Sequence, residues 1–222
     1  MKERPILFSA PMVRALLDGS KTQTRRAYKV RYHPDIGCEM DASELAREPQ
    51  HVIDRCCPYG RPGDQLRVRE TFFAYGRWET RFSEKKKRDE WHFVDMTAEC
   101  DRVYQFAADN PDLPLAAGRG GALPGWYKRP AIFMPRAASR ILLEIISVRV
   151  ERLNDCSEPD ARAEGITDGG CVCCGAAEPC GCPNPSPDAR DAYVSLWESI
   201  NGAGSWGANP WVWAVTFKRV TP

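Results

Sequence analysis

The sequence lacks long apolar runs and an apolar leader. Its mean hydropathy is −0.47, and no stretch approaches the roughly 18 apolar residues that a membrane-spanning helix needs. The first five residues, Met-Lys-Glu-Arg-Pro, contain no hydrophobic region of the kind found in signal peptides. We therefore expect a protein that has no membrane partner and works in the cytoplasm.

Histidines are few as well, and the net charge is small. The three histidines (His33, His51 and His92) all fall in stretches that look like insertions, so we do not expect the paired-histidine catalysis of ribonucleases. With 31 basic and 30 acidic residues, the net charge is +1. This balance excludes a uniformly basic nucleic-acid-binding protein.

The charges are segregated along the chain. Residues 21–32 and 119–140 contain basic residues without an acid, whereas residues 35–54 contain six acids against one arginine. If the two basic stretches meet in the fold, they form a surface for anions such as phosphate. If they do not, they are solvated faces that the acidic stretch balances, and both interpretations stay open at this point.

Local patterns predict three helices. Ser9 and Gly19 bracket the first, and Ser157 and Gly165 bracket the second, as an N-cap and a left-handed C-terminal glycine do. The third runs from Ser186-Pro187 to Gly202. The apolar residues of this third helix recur at i, i+3, i+4 and i+7, and they predict one buried face made of Tyr193, Leu196, Trp197 and Ile200.

Alternating and β-branched stretches predict three strands, at residues 65–70, 140–153 and 211–220. The last is expected to be half-buried, with one side made of Trp211, Trp213, Val215 and Phe217. Few helices between strands that are distant in sequence predict an α+β fold with a mostly antiparallel sheet or a small barrel. Three stretches look like insertions into it: residues 32–58, 74–130 and 167–187.

Five cysteines fall within twelve residues, in the last of these insertions. A Cys-x-x-Cys pair and a Cys-x-Cys pair follow each other closely, and such paired thiolates suit a tetrahedral zinc ion. The predicted ligands are Cys171, Cys174, Cys180 and Cys182, with Cys173 as a substitute. Four thiolates leave no open position, so the zinc would be structural; free thiols in a mobile loop, or disulfides formed after purification, are the alternatives.

Three segments carry a resemblance to a known family. They are residues 17–26 (LDGSKTQTRR), residues 63–70 (GDQLRVRE) and residues 163–165 (AEG), supported by residues 133–140 and 209–213. Together they resemble the ASCH domain family, relatives of the PUA RNA-binding fold, in the larger form common in phages and prophages. The resemblance implies one domain over residues 1–222, built as a PUA-like small β-barrel with a cleft beside the end of the first helix.

The resemblance also implies an activity. A small bacterial ASCH protein is an amidohydrolase that removes the acetyl group from N4-acetylcytidine, using a lysine and a threonine of a K-T-x-T motif and a glutamate in a later short helix. These positions fall here on Lys21, Thr24 and Glu164. No organic cofactor is implied. The expected partner is a nucleoside or RNA, and we take Arg25, Arg26, Arg69, Glu70, Arg136 and Arg140 as candidate binding residues.

The chemistry sets a condition on this assignment. A threonine hydroxyl is inert at neutral pH unless a neighbour takes its proton, which Lys21 could do only if its pKa were lowered, and Arg25 and Arg26 would push it that way. Lys21 and Thr24 share a face on a helical turn but oppose each other on a strand, so the assignment requires a turn or helical geometry here. The plain alternative is a solvated loop in which Lys21 and Glu164 form an ordinary ion pair.

The second hypothesis is a non-catalytic nucleic-acid-binding module. It would use Trp126, Tyr127 or Trp213 to stack on a base, and its contacts to phosphates would come from Arg25, Arg26, Lys29, Arg136 and Arg140. Trp213 is also expected to serve as a core residue, because it alternates with strand period. Binding that tracks phosphates weakens steeply with salt, whereas hydrolysis of a nucleoside does not, so salt dependence separates the two hypotheses.

Overall fold

A computed structural model of the chain describes residues 1–119, 123–166 and 189–220. The strands are β1 (Glu3–Leu7), β2 (Gln23–Ala27), β3 (Arg31–Tyr32), β4 (Glu39–Met40), β5 (Gln65–Arg69), β6 (Phe72–Ser83), β7 (Arg88–Asp95), β8 (Gln105–Phe106), β9 (Gly125–Arg129), β10 (Leu142–Arg152) and β11 (Trp211–Val220). The α-helices are α1 (Ala10–Leu17), α2 (Ala42–Leu45), α3 (Gln50–Cys56), α4 (Glu158–Ala163) and α5 (Ala189–Asn201). Short 3-10 turns occur at Ala107–Asp109, Ala131–Phe133, Arg136–Ala138 and Leu153–Asp155.

The chain divides into two compact units. The first comprises Met1–Ile6, Ala15–Arg67 and Ile141–Pro222, and the second comprises Leu7–Arg14 and Val68–Arg140. The predicted α+β class with mostly antiparallel pairing is confirmed. The described strands form no closed barrel: the five-stranded sheet has the order β1-β5-β10-β11-β2, which leaves β1 and β2 at its edges.

Strand β11 lies between β10 and the edge strand β2 of the five-stranded sheet. It pairs antiparallel with β10 from Trp211 opposite Arg152 to Val220 opposite Leu142, with a bulge between Ile145 and Ser147, and with β2 on its other side. The expectation of a half-buried strand is wrong, because both of its faces are covered. Val212 packs into a cluster with Tyr193 and Trp197 of α5, while the neighbouring Trp213 is fully buried and stacks on Tyr28.

The three predicted helices form where their end signals lie. Helix α4 begins at a capping box in which Ser157 and Asp160 bond each other's backbone, and α5 buries Tyr193 and Trp197. The predicted start of α5 at residues 186–187 lies outside the described residues. Ile200 departs from the expected buried face and is 56% exposed, because the cluster beneath α5 ends one turn earlier.

The described residues of the stretch 74–130 form a second sheet. Strands β6 and β7 form a long antiparallel hairpin from Gly76 opposite Asp95 to Ser83 opposite Arg88, and β8 and β9 pair with β6. The charged run 84–90 therefore makes the exposed turn and the first residues of β7. Stretch 32–58 likewise carries β3, β4, α2 and α3. No helix in the described part of the chain is long and apolar enough to cross a membrane.

Candidate functional site

The first element of the candidate site is the loop after α1. Gly19 has φ +86°, so the chain leaves the helix through the left-handed conformation that glycine adopts without strain. Asp18 accepts hydrogen bonds from the backbone N–H and hydroxyl of Ser20. The backbone N–H of Lys21 then donates to the carbonyl of Ala15, which holds Lys21 against the end of its own helix.

The second element is the end of α4. Glu164 caps this helix and forms an isolated antiparallel bridge with Lys21, while the N–H of Thr22 donates to the carbonyl of Ala163. Gly165 follows at φ +86°, where an added Cβ would lie 2.7 Å from Ala15 Cβ and 3.0 Å from Lys21 Cβ. Glycine is therefore required sterically as well as conformationally, and it allows the two segments to approach this closely.

Lys21 and Glu164 form a buried ion pair. Lys21 Nζ lies 2.7 Å from Glu164 Oε2, and the two side chains are 0% and 3% exposed. The same ammonium donates to the carbonyl oxygens of Glu164, at 2.8 Å, and Gln23, at 2.9 Å, so three acceptors meet its three protons. Burial lowers the pKa of Lys21, against the opposing attraction of the Glu164 carboxylate.

Arg25 joins three carboxylates in the same interior region. Its guanidinium lies 2.7 Å from Glu151 Oε1, 3.3 Å from Asp160 Oδ1 and 3.5 Å from Glu164 Oε1, and its side chain is fully buried. Burial opposes its charge, but the surrounding anionic groups prevail and raise the pKa of Arg25. Arg25 also donates to the side-chain oxygen of Gln23. The structure thus gives this arginine internal partners rather than an open phosphate-facing surface.

Tyr193 completes the surroundings of Glu164. Its hydroxyl lies 3.4 Å from Glu164 Oε1, and burial together with the charge of Glu164 raises the pKa of Tyr193. Sequence reasoning placed Tyr193 on the buried face of a helix but gave it no role at the site, and it missed Glu151 and Asp160 altogether. A polar ring at a core position of α5 was the one available signal, because buried tyrosine hydroxyls require a hydrogen-bond partner.

Thr24 does not share the face of these groups. Residues 23–27 form strand β2, and the bond between Gln23 and Arg25 places these two side chains on one face with Glu164. Strand alternation then places Thr24, which is also buried, on the opposite face. The turn or helical geometry that the assignment requires from Lys21 to Thr24 is therefore not met. The pairing of β2 with β11, which sets Thr24 opposite Val215, makes the segment extended.

The remaining candidate binding residues are distributed over both units. Arg26 is half-buried in the first unit. In the second unit, Arg69 donates to the carbonyl of Met134, and Arg136 is exposed. The base-stacking candidates are interior residues: Trp126 and Tyr127 are each 8% exposed, and Trp213 is 0% exposed.

Glu70 and Arg140 form a separate ion-pair cluster in the second unit. Arg140 Nε lies 2.9 Å from Glu70 Oε1, and Arg140 Nη1 lies 2.7 Å from Asp109 Oδ2. The guanidinium also covers the ring of Phe106 at 3.9 Å. Burial raises the pKa of Glu70, although the bonds and charge of Arg140 oppose this.

The predicted zinc ligands lie outside the described residues. Within those residues, no group of three or more His, Cys, Asp or Glu side chains is placed to hold a metal ion. Five cysteines of the described part are free thiols: Cys38, Cys56, Cys57, Cys100 and Cys156. Burial raises the pKa of Cys57 to about 11 and that of Cys156 to about 12, which makes both poor nucleophiles.

Comparison with known proteins adds no relative. No family model matches the chain, and no curated protein or solved structure matches it significantly. The chemistry of the site therefore has to be argued from its geometry. An enclosed lysine with a lowered pKa, in contact with a carboxylate, is suited to moving a proton, because each partner can hold the proton that the other releases.

Proposed function

We propose that this chain is an ASCH-type amidohydrolase with a PUA-like fold, which removes an acyl group from a base amine of the N4-acetylcytidine kind. The motifs around residues 17–26, 63–70 and 163–165 support the family. One observation carries the activity: Lys21 and Glu164, 143 positions apart in the chain, meet in the interior with their charged atoms 2.7 Å apart. These are two of the three residues on which the K-T-x-T resemblance places the chemistry.

The two side chains take complementary roles in amide hydrolysis. Glu164 accepts a proton from a water molecule as the water oxygen bonds to the acyl carbon. Lys21, whose lowered pKa makes its ammonium a stronger acid, donates a proton to the base nitrogen as the C–N bond breaks. The products are a carboxylic acid and the free base amine. Transfer of the proton from Glu164 to Lys21 then restores the starting state.

Arg25 and Tyr193 act as positioning residues. Both approach Glu164 Oε1, whereas Lys21 contacts Oε2, so the carboxylate is held from two sides in one orientation. In this mechanism water is the nucleophile, because the face of β2 that carries Gln23 and Arg25 does not carry Thr24. The pair is almost completely enclosed by the described residues, so turnover requires the side chains around it to open for the substrate.

The test is turnover of N4-acetylcytidine by the purified chain, with cytidine and acetate followed by chromatography. Lys21→Met and Glu164→Gln should each abolish turnover, while Thr24→Val should retain it if water is the nucleophile. The matched controls are Lys218→Met and Glu144→Gln, which remove the partners of an ion pair that is 3.3 Å long and much more exposed. Both controls should leave turnover unchanged.

Melting curves accompany every variant, so that loss of activity is separated from loss of fold. A folded parent that releases no cytidine contradicts the proposal, and the Lys21–Glu164 pair is then purely structural. Activity that survives in a folded Lys21→Met variant contradicts the assigned proton donor. Loss of activity in a folded Thr24→Val variant would return the threonine to the mechanism as the nucleophile.

We also propose that Cys171, Cys174, Cys180 and Cys182 hold a structural zinc ion, on the spacing of their thiols alone. Metal analysis of the purified chain should then find one zinc per chain, and Cys174→Ser should lower both the zinc content and the melting temperature. Cys38→Ser, which removes an exposed thiol, is the matched control and should change neither. A chain purified without chelator that contains no zinc contradicts this assignment.

A further inference from the structure

The β6–β7 hairpin of the second unit has one aromatic face. The register pairs Trp78 with Phe93 and Thr80 with Trp91, and it places Phe82 opposite Asp89. Cross-strand partners share a face, and so do residues two apart along a strand. Trp78, Phe82, Trp91 and Phe93 therefore lie on the same side of the hairpin.

The aromatic face is packed at one end and open at the other. Trp78 and Phe93 lie edge to face at 5.4 Å, and both also contact Tyr127. Toward the turn, Phe82 is 57% exposed and Trp91 is 44% exposed. Large aromatic side chains that are exposed at neighbouring positions are typical of an interaction or ligand-binding surface.

Two arginines flank the packed end. The guanidinium carbons of Arg119 and Arg129 lie 4.6 Å and 4.7 Å from the centre of the Trp78 ring, and Arg129 also covers Phe93 at 4.4 Å. Among the described residues, no carboxylate forms an ion pair with either guanidinium. Asp95 lies on this face near Arg129, but its oxygens accept hydrogen bonds from Thr97 and Tyr104.

The opposite face of the hairpin differs in how its charges are paired. Its charged side chains neutralise each other: Arg77 and Arg81 both contact Glu79, and Lys86 and Arg88 both contact Glu90. The aromatic face therefore combines exposed rings with two guanidinium groups that form no ion pair with a carboxylate of the described residues. Rings that stack on bases and guanidinium groups that meet phosphates are the two components of sites for single-stranded nucleic acid.

A hollow beside Trp91 provides the room that such a ligand needs. It has a volume of about 430 Å³ and is lined by Arg88, Asp89, Glu90, Trp91, His92 and Arg119, and the carboxylate of Glu90 is paired with Lys86 and Arg88. This volume is in the range of ligand-binding clefts. Trp91 and Arg119 thus border one open space.

We propose that the aromatic face of the β6–β7 hairpin binds single-stranded nucleic acid, with bases stacked on Trp91 and Phe82 and phosphates held by Arg119 and Arg129. This surface lies within residues 74–130, the stretch that the resemblance to small ASCH proteins does not cover. The inference does not depend on the amidohydrolase activity, because it uses none of the residues assigned to that reaction.

The test is fluorescence anisotropy with a labelled 12-nucleotide RNA of mixed sequence, and with the same sequence as a duplex. Trp91→Ala and Phe82→Ala should each weaken single-strand binding roughly 5- to 100-fold, the effect expected for one lost base stack, while Trp91→Phe should keep most of the affinity. Arg119→Ala should also weaken binding and should reduce its salt dependence.

Two matched controls locate the effect. Tyr32→Ala removes an aromatic ring of the first unit that is 62% exposed, and Arg81→Ala removes an arginine from the opposite face of the same hairpin. Both should bind the RNA as the parent does. Trp91 and Phe82 are exposed, so their alanine variants should fold, and circular dichroism verifies this.

Several outcomes overturn the proposal. These are a parent that binds no single strand at low salt, alanine variants of Trp91 and Phe82 that bind as tightly as the parent, and a duplex that binds as well as the single strand. Sedimentation of the parent and of Trp91→Ala covers a further outcome. If the parent is a dimer and the variant a monomer, the face is an interface between two copies of this chain.

Discussion

Two buried glutamates, one in each unit, are neutralised in different ways. Glu164 of the first unit is surrounded by Lys21, Arg25 and Tyr193, and the side chains of both cations are 0% exposed. Glu70 of the second unit is as deeply buried but has one cation, Arg140, which is 28% exposed and shared with Asp109. The same residue type thus lies in an enclosed charge cluster in one unit and in a cluster open to water in the other.

The difference shows which of the two charge clusters is stabilised by its own members and which is also in contact with water. In the first unit the groups are fixed by one another, and burial changes the proton affinity of the cation, since it lowers the pKa of Lys21. In the second unit burial acts on the acid instead and raises the pKa of Glu70, while water reaches its partner Arg140. Buried groups with shifted pKa values are typical of sites that transfer protons, and this is why we propose the reaction at Glu164.

The largest effect is expected from breaking the enclosed pair. Glu164→Gln leaves the Lys21 ammonium buried without a carboxylate, so the free energy of unfolding should fall by about 3–5 kcal/mol. Denaturant unfolding measures this. The double variant Lys21→Met, Glu164→Gln removes the stranded charge and should recover a large part of the loss, and a double variant as unstable as the single one would contradict this explanation.

A smaller loss is expected from the corresponding change in the second unit. Glu70→Gln should lower the free energy of unfolding by at most about 1 kcal/mol, because burial already outweighs the attraction of Arg140 for the ionised Glu70, and the released guanidinium keeps Asp109 and can be hydrated. Glu144→Gln, at a surface pair, is the control and should cost at most about 1 kcal/mol. Equal losses for Glu70→Gln and Glu164→Gln would show that the enclosure of Glu164 has no energetic consequence.

Acid titration should reveal how much the ionised carboxylate of Asp160, near Arg25 in the first unit, contributes to stability. Burial opposes the charge of Asp160, but bonds from Ser157 and the nearby Arg25 prevail and lower its pKa from 3.8 to about 2. The ionised group therefore contributes about 2 kcal/mol of stability that is present above pH 3.8 and lost as the pH falls toward 2. In Asp160→Asn, unfolding curves between pH 5 and pH 2 should lack this loss, and an unchanged slope would refute the assignment.

The smallest expected effect is the pH dependence due to Glu70, which should run in the direction opposite to that of Asp160. The folded pKa of Glu70 is raised above 4.5, so folded chains bind its proton more tightly than unfolded chains do. Its contribution is present in full below pH 4.5 and is lost as the pH rises through the folded pKa. The parent should therefore lose stability relative to Glu70→Gln as the pH is raised from about 4.5. A difference that grows in the other direction would contradict the raised pKa.

Much of the local structure could be predicted because its causes lie within a few residues. Ser157 predicts the start of α4, Gly19 predicts the end of α1, and the alternation after residue 211 predicts β11. The β6–β7 hairpin escaped prediction because its turn is a run of charges that is equally typical of a solvated loop. The burial of both faces of β11 was also missed, since alternation does not show which elements cover a strand.

The candidate site could be predicted only in part. The resemblance pointed to Lys21 and Glu164, but their contact depends on Gly165, which lets the end of α4 approach the loop after α1. Thr24 was expected beside Lys21 and lies on the other face, because pairing with β11 extends the segment. The partners of Arg25 come from β10 and α4, more than a hundred residues away, and no local pattern encodes them.

The sequence by itself determined the ends of α1 and α4, the end of α5, the strands within residues 65–70, 140–153 and 211–220, and the residue types available for proton transfer. Each of these follows from capping, backbone preference or periodicity, which act over a few residues. Only the tertiary structure decided that Lys21 is enclosed with Glu164, that Arg25 is an interior cation, and that Trp91 and Phe82 share an open face. These outcomes depend on which distant segments exclude water from a side chain, and water exclusion is a property of the assembled fold.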